Sequence, residues 1–140
     1  MAKNFNGTQI NQSVTIVEKA GTAVPDCRNK LLKYDSAGNV VLAADGTAPI
    51  VGVAIIEAGY NDVSGAESGK VEVGDDIDIQ IKDIGYVIAS ADISKGAEVT
   101  AATGGLAATA ATGDYVIGTA LSAAHEGDYF RVQITKYQKN

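Results

Sequence analysis

One histidine, one cysteine and one dense acidic cluster are the residues in this chain whose types suit chemistry. His125 lies in Ala124-His125-Glu126-Gly127-Asp128. It would act as a general base or metal ligand if a nucleophile and an orienting acid stood beside it. No local pattern supplies those partners, so it reads as an exposed loop histidine. Cys27 follows Asp26 and precedes Arg28. A neighbouring guanidinium lowers a thiol pKa and makes it reactive, but no protease or redox signature surrounds Cys27, and it reads as a loop or interface thiol. Gly74-Asp75-Asp76-Ile77-Asp78 offers carboxylate oxygens of the kind hard cations take. Strand alternation sends Asp76 and Asp78 to solvent, and EF-hand spacing is absent. Lys95, in Ser94-Lys95-Gly96, comes nearest to a carrier lysine without the surrounding signature. No glycine pattern forms a phosphate-cradling loop. The expectation is a protein without catalytic residues, metal or cofactor, and not an enzyme.

The elements that would position these residues are strands. Ile and Val together number 27 against five Leu, while Ala supplies 22 and Gly 16. Branched side chains lose rotamer freedom in helices and pack well on pleated surfaces. This balance predicts an all-β body with thin layers and tight turns. Ser13 to Glu18 reads as a first strand, ended by Pro25-Asp26. Asp76-Ile77-Asp78-Ile79-Gln80-Ile81-Lys82 alternates strictly, with its isoleucines on one face. The apolar phase then moves to Ile84, Tyr86 and Ile88, which predicts a turn or bulge at Lys82-Asp83 and burial of that new set. Asp128 to Lys136 alternates again, with Phe130, Val132 and Ile134 inward. Residues 101 to 112 are Ala-rich, but Gly104-Gly105 and three threonines favour a hairpin over a helix. A helical turn is predicted near Ala91 to Lys95, capped by Ser90 or Asp92.

A cassette recurs 66 positions on, matching Gly38 to Gly104, Gly52 to Gly118 and Ala54 to Ala120. Each copy, near residues 30–57 and 97–122, reads as a hairpin with a turn glycine (Gly38, Gly104) and a glycine inside a strand (Gly52, Gly118). Residues 58 to 69 form a glycine-bearing irregular stretch between the copies. The predicted organisation is an extended arm over residues 1–12 and a β-rich domain over residues 13–140 built from repeated hairpins. The arm is polar, with Phe5 and Ile10 as its large apolar side chains beyond Met1.

Charge and targeting signals narrow the partners. The formal net charge is −6, with 11 basic and 17 acidic residues and no adjacent basic pair. Such a chain lacks the basic surface that nucleic acids and anionic membranes require. No stretch approaches the length of a membrane span, and the first residues carry no apolar run resembling a signal peptide. A single cysteine leaves no internal disulfide. Synthesis in a cytosol is the expectation.

The second half carries a pattern that runs from Gly74-Asp75-Asp76-Ile77-Asp78-Ile79 and Gly85-Tyr86-Val87-Ile88-Ala89 through Ser94-Lys95-Gly96-Ala97-Glu98-Val99. It continues in Ile117-Gly118-Thr119-Ala120-Leu121 and closes in Gly127-Asp128-Tyr129-Phe130-Arg131-Val132. Together with the Met-Ala-Lys-Asn start, this resembles the capsid decoration, or cement, proteins of tailed bacteriophages. The chain departs from that pattern at Ser122, where the family often has Glu, and in its extra cassette around Gly52. The resemblance implies a β-barrel-like or β-tulip-like body, often a homotrimer, made in the host bacterial cytoplasm. It further implies a place on the outer surface of the virion shell, bridging major capsid subunits. On that footing Ala2, Lys3, Asn4, Phe5 and Ile10 are candidate capsid-interface residues, with the arm adding as a strand to an exposed sheet edge. A phage fibre or adhesin component that displays loops, such as the one bearing Tyr60, to a host or glycan is the competing expectation.

Overall fold

Alternating β-branched segments separated by Gly- and Asp-rich turns condense into strands, and the strands into two sheets. A computed structural model describes residues 14–140. The arm and its candidate residues Ala2, Lys3, Asn4, Phe5 and Ile10 lie outside the described residues. The first sheet holds β1 (Thr15–Lys19), β2 (Leu31–Tyr34), β3 (Val40–Leu42), β4 (Gly52–Ala54) and β5 (Asp76–Gln80), in the order β1-β5-β4-β2-β3. The second holds β6 (Ile84–Ile88), β7 (Glu98–Ala102), β8 (Leu106–Thr109), β9 (Tyr115–Ala120) and β10 (Tyr129–Gln138), in the order β6-β10-β9-β7-β8. All ladders within the sheets are antiparallel. The all-β expectation holds, with two sheets in place of one barrel. Each sheet curls until a single parallel bridge joins its edges, Ala20 to Val40 in one and Ala89 to Ala107 in the other.

The two units, residues 14–82 and 83–140, repeat one pattern of backbone pairing. Val53 opposes Gln80 in the first, and Thr119 opposes Gln133 in the second. Ala20 N donates to Asp75 O, and Ala89 N to Asp128 O. Gly74 N returns a bond to Ala20 O, as Gly127 N does to Ala89 O. The equivalence thus reaches well beyond the two cassettes. Its register also corrects one sequence match: Leu32–Gly52 and Val99–Gly118 are corresponding pairs, and following the hairpins outward aligns Gly38 with Gly105, not Gly104. A one-residue difference in the connection between Ala43 and Val51, against that between Ala110 and Ile117, explains the shift.

Each unit buries its own core. Leu32, Val40, Ala54, Ile77 and Ile79 fill the first, and Val87, Val99, Ala107, Ala120, Phe130 and Val132 the second. Successive strand residues face opposite sides, so Leu32 enters its own unit while Leu31, with Ala43, Ile50 and Val53, joins the second unit's core. Full burial of a side chain such as Leu31 contributes about 1.5–3 kcal/mol. Backbone bonds stitch the same seam, Gly105 N to Ala43 O and Tyr115 N to Gly46 O, both 2.9 Å. The Lys136 ammonium adds a 2.7 Å bond to Val51 O, and partial burial lowers its pKa.

The second unit turns the corresponding face to solvent, and its sequence follows. Glu98, Thr109 and Thr119 stand where the first unit has Leu31, Leu42 and Val53. β10 runs past a register shift between Ile134 and Tyr137 and lies along this face. The Tyr137 hydroxyl donates to Glu98, and the Lys139 ammonium sits 3.0 Å from the same carboxylate. Together they hold the Glu98 carboxyl below its ordinary range. A terminal repeat needs such a polar outer face.

Two local expectations fail. Ala91 to Lys95 forms no helical turn, because Ile93 is bridged to Ala124 in an extended pairing. In β6 the buried residues are Gly85 and Val87, opposite Val132 and Phe130, while Ile84 and Tyr86 are exposed. The chain does change direction at Lys82-Asp83, in a bend with Asp83 at φ +70°.

Candidate functional site

The clearest departure from the repeat is a long insertion. Leu121 to Ala124 in the second unit corresponds to Ile55 to Val71 in the first. A loop of this length needs its own satisfied backbone to hold a shape. Asp62 provides the centre: its carboxylate accepts from Ser64 N at 3.1 Å, Ser64 Oγ at 2.6 Å and Glu67 N at 3.0 Å. These bonds, the Ser64 hydroxyl first, hold the Asp62 carboxyl below its usual range. Tyr60 and the Gly69-Lys70 pair exchange backbone bonds of 2.7–2.8 Å at the neck.

The start of this insertion walls a groove of about 450 Å³ between the two units. Its other walls come from Thr15 of β1, Val53 of β4, Gln80 of β5, Ile84 and Tyr86 of β6, and Tyr129 of β10. Ile56, Ile84, Tyr86 and Tyr129 are each about half exposed here (46–61%). The edge of β6 is guarded by side chains, since Gln80 Nε2 donates to Ile84 O at 2.8 Å and Asn29 Nδ2 to Tyr86 O at 3.1 Å. Arg28 lies in the adjoining depression with Ile56, Tyr60 and Ser68. Its guanidinium grips Asp26 through two 2.9 Å bonds and holds that carboxyl below its ordinary range. Apolar rings framed by amides and one carboxylate, Glu57, suit non-covalent capture of a partner surface or segment.

Asn29 anchors the groove. It sits at φ +60°, where its counterpart Gly96 has φ +87°, and it is 6% exposed with Oδ1 unpartnered among the described residues. Asn tolerates the left-handed region better than other side chains. Asn29→Gly is expected to cost on the order of 1 kcal/mol through the lost bond to Tyr86 O. Asn29→Ala adds left-handed strain and is expected to cost about 1 kcal/mol more. Urea denaturation of both variants checks this; equal losses would remove the backbone part of the argument.

The residues singled out for chemistry stay apart. His125 Nδ1 lies 3.3 Å from Asp92 Oδ1, both side chains at least 80% exposed. Cys27 is fully buried, and burial pushes its thiol up to about 11. Asp76 pairs with Lys19 at 2.6 Å on the solvent side of β5. Among the described residues no group of three or more His, Cys, Asp or Glu is arranged to hold a metal ion, and no helix is long and apolar enough to cross a membrane. Gly52 and Gly118 sit deep in β4 and β9, where a Cβ would overlap the carbonyl oxygens of Gln80 and Gln133. The groove-forming set Ile56, Ile84, Tyr86 and Tyr129 was missed in sequence, which placed Ile84 and Tyr86 inward.

No family model matches the sequence, and neither does any curated protein. Among solved structures, the chain is similar to the N base of head fibre protein gp8.5 of bacteriophage phi29, with a TM-score of 0.61 and 22% identity. The likeness covers 92% of this chain and 99% of that one, so the two share a fold along nearly their whole lengths.

Proposed function

We propose that this chain is a structural protein of a tailed-phage head, seated on the outside of the capsid shell. In this role it bridges neighbouring major capsid subunits and stabilises the shell by binding, without catalysis, cofactor, or direct contact with nucleic acid or membrane. The observation that carries the reading is the fold shared with a head fibre base across 92% of the chain. The decoration-protein pattern in the second half supports the same assignment independently. An acidic body built from two units joined across a buried seam, with an exposed groove between them, suits a surface-bound part. The active form in this proposal is a homotrimer, because three linked contacts raise the effective concentration of each. The polar arm with Phe5 and Ile10 is a further shell contact. A second reading, the foot of a fibre that displays distal loops to a host, draws on the same likeness.

Mixing the purified protein with expanded and unexpanded shells, then imaging at subunit resolution, tests both. Saturable density across capsid-subunit boundaries, with a rise in the shell's disruption temperature, is the expected result. Density at isolated points with no gain in shell stability would favour the fibre foot. Absence of binding to either shell would overturn both.

A further inference from the structure

We propose that the free edge of β1 is the seat of a shell strand: an extended segment of a capsid subunit, apolar and basic by turns, adds there to the first sheet. The partner rests on the shell-binding role proposed above. β1 ends its sheet, and its ladder is with β5 alone. Ala20 N bonds across to Asp75 O, while Gly21 N turns the other way, to Val40 O. Backbone groups alternate sides along an antiparallel strand, so those of Thr15 and Val17 point to the free edge. Among the described residues no hydrogen bond reaches them there. An unguarded edge of this kind is a template for strand addition.

The second unit shows what closes the same edge. Thr15 and Val17 correspond to Ile84 and Tyr86, through the pairs Ile16–Ile79 and Gly85–Val132. Gln80 and Asn29 of the first unit occupy those two carbonyl oxygens. The first unit also packs on the end of the second sheet where Gly85, Val87, Ala101 and Gly105 are buried. Their counterparts Ile16, Glu18, Tyr34 and Gly38 are partly or fully exposed. A Cβ on Gly105 would meet Lys30 and Leu31, but one on Gly38 meets nothing within 4 Å. The first unit thus repeats a surface that takes a β neighbour in the second, and leaves it uncovered among the described residues.

Side chains select the partner. The inward residues of an added strand meet Ile16 and Ile81, so they are apolar. Its outward residues flank Val17, which is 56% exposed. Asp78, opposite Val17 on β5, has no ion pair among the described residues. It lies about 10 Å from the added strand, two strand spacings, within reach of a Lys or Arg there. A second copy is the weaker occupant. It brings the same charge of −6, and its corresponding outer face at Glu98, Thr109 and Thr119 is polar.

Hydrogen exchange on the full chain, with and without expanded shells, tests the seat. In the free protein the Val17 amide is expected to exchange fast, between slow Ile16 and Glu18 that bond to β5. On shells the Val17 amide slows by about tenfold or more. Val17→Pro removes a donor that the free fold does not use and is expected to cut shell affinity by about tenfold. Val17→Lys keeps the backbone and repels a basic strand, so it loses binding even where the proline variant fails to fold. Thr109→Lys, on the polar face of the second unit, binds as the native chain does. A protected Val17 amide in the free protein overturns the open edge. Shell binding with β1 exchange and Val17→Lys both unaffected overturns this seat and leaves the shell role standing. Absence of binding to any shell overturns the role, and the shell strand with it.

Discussion

Gly118→Ala is expected to destabilise the protein by about 3 kcal/mol, at the upper end of what overpacking usually costs. The reason is local and hard. A Cβ on Gly118 meets the backbone carbonyl oxygen of Gln133, with the Gln133 carbon and Ile134 Cα directly behind it. Neither is the tip of a flexible side chain, so relief requires β9 and β10 to separate. Those strands carry the ladder from Val132–Ala120 to Ile134–Gly118. Breaking it would expose Phe130 and Val132, both at 2% or less. Gly52→Ala repeats the experiment against Gln80 O, with Ile79 as a second obstacle. A loss near 3 kcal/mol corresponds to a drop in Tm on the order of 10 °C for a chain of this size. Gly38→Ala is the control, because φ there is +85° but nothing lies within 4 Å, so only backbone strain of about 1–2 kcal/mol applies. Hydrogen exchange should show β9 and β10 opening first in Gly118→Ala, and β4 and β5 in Gly52→Ala. Stability within 0.5 kcal/mol of the native protein would refute the close-packing argument.

How far the fold could be read from sequence depended on whether one face of a strand was unambiguous. In Asp76–Gln80 the apolar residues occupy a single phase, and Ile77 and Ile79 are buried while Asp76 is exposed. β10 behaves the same way at Phe130 and Val132. In β6, Ile84-Gly85-Tyr86-Val87-Ile88 carries apolar groups on both phases, so periodicity offers no choice between them. The core took Val87 because it faces Phe130, and Gly85 was preferred beside Val53 and Ile134, where a Cβ would lie 3.3–3.4 Å from both. The larger Ile84 and Tyr86 were left outside, and they became the groove. The groove was therefore illegible for a physical reason: it exists only where the second unit meets the insertion of the first, and no local pattern encodes that meeting. The same limit applies to the seam residue Leu31, which reads like any strand leucine until its neighbour unit is placed.

That leucine yields a large expected effect, argued from the repeat against itself. Position 98 in the second unit is the counterpart of position 31, and there a glutamate is accommodated. Simple repeat logic would therefore rate Leu31→Glu as mild. The surroundings say otherwise. Glu98 is about one-third exposed and has Tyr137 and Lys139 as partners from the run of β10 beyond its bulge. Leu31 is 0% exposed among Ala43, Ile50, Val53 and the second unit's core, and the first unit has no such run because its chain turns away into β6. An uncompensated buried charge costs about 3–5 kcal/mol, so Leu31→Glu is expected to lose at least 3 kcal/mol at neutral pH. Desolvation raises the pKa of the introduced carboxyl above its unfolded value. The loss is then greatest above that raised pKa and shrinks as pH falls through it toward the unfolded value, opposite in sign to Glu98, whose stabilising bonds weaken on acidification. Glu98→Leu is the reciprocal control and should change stability far less than Leu31→Glu does, because the polar contacts it removes are open to solvent. Urea titrations at neutral and acid pH read all of these. A Leu31→Glu penalty under 1 kcal/mol, or one that grows on acidification, would mean that the seam admits water and that the two units do not share a core.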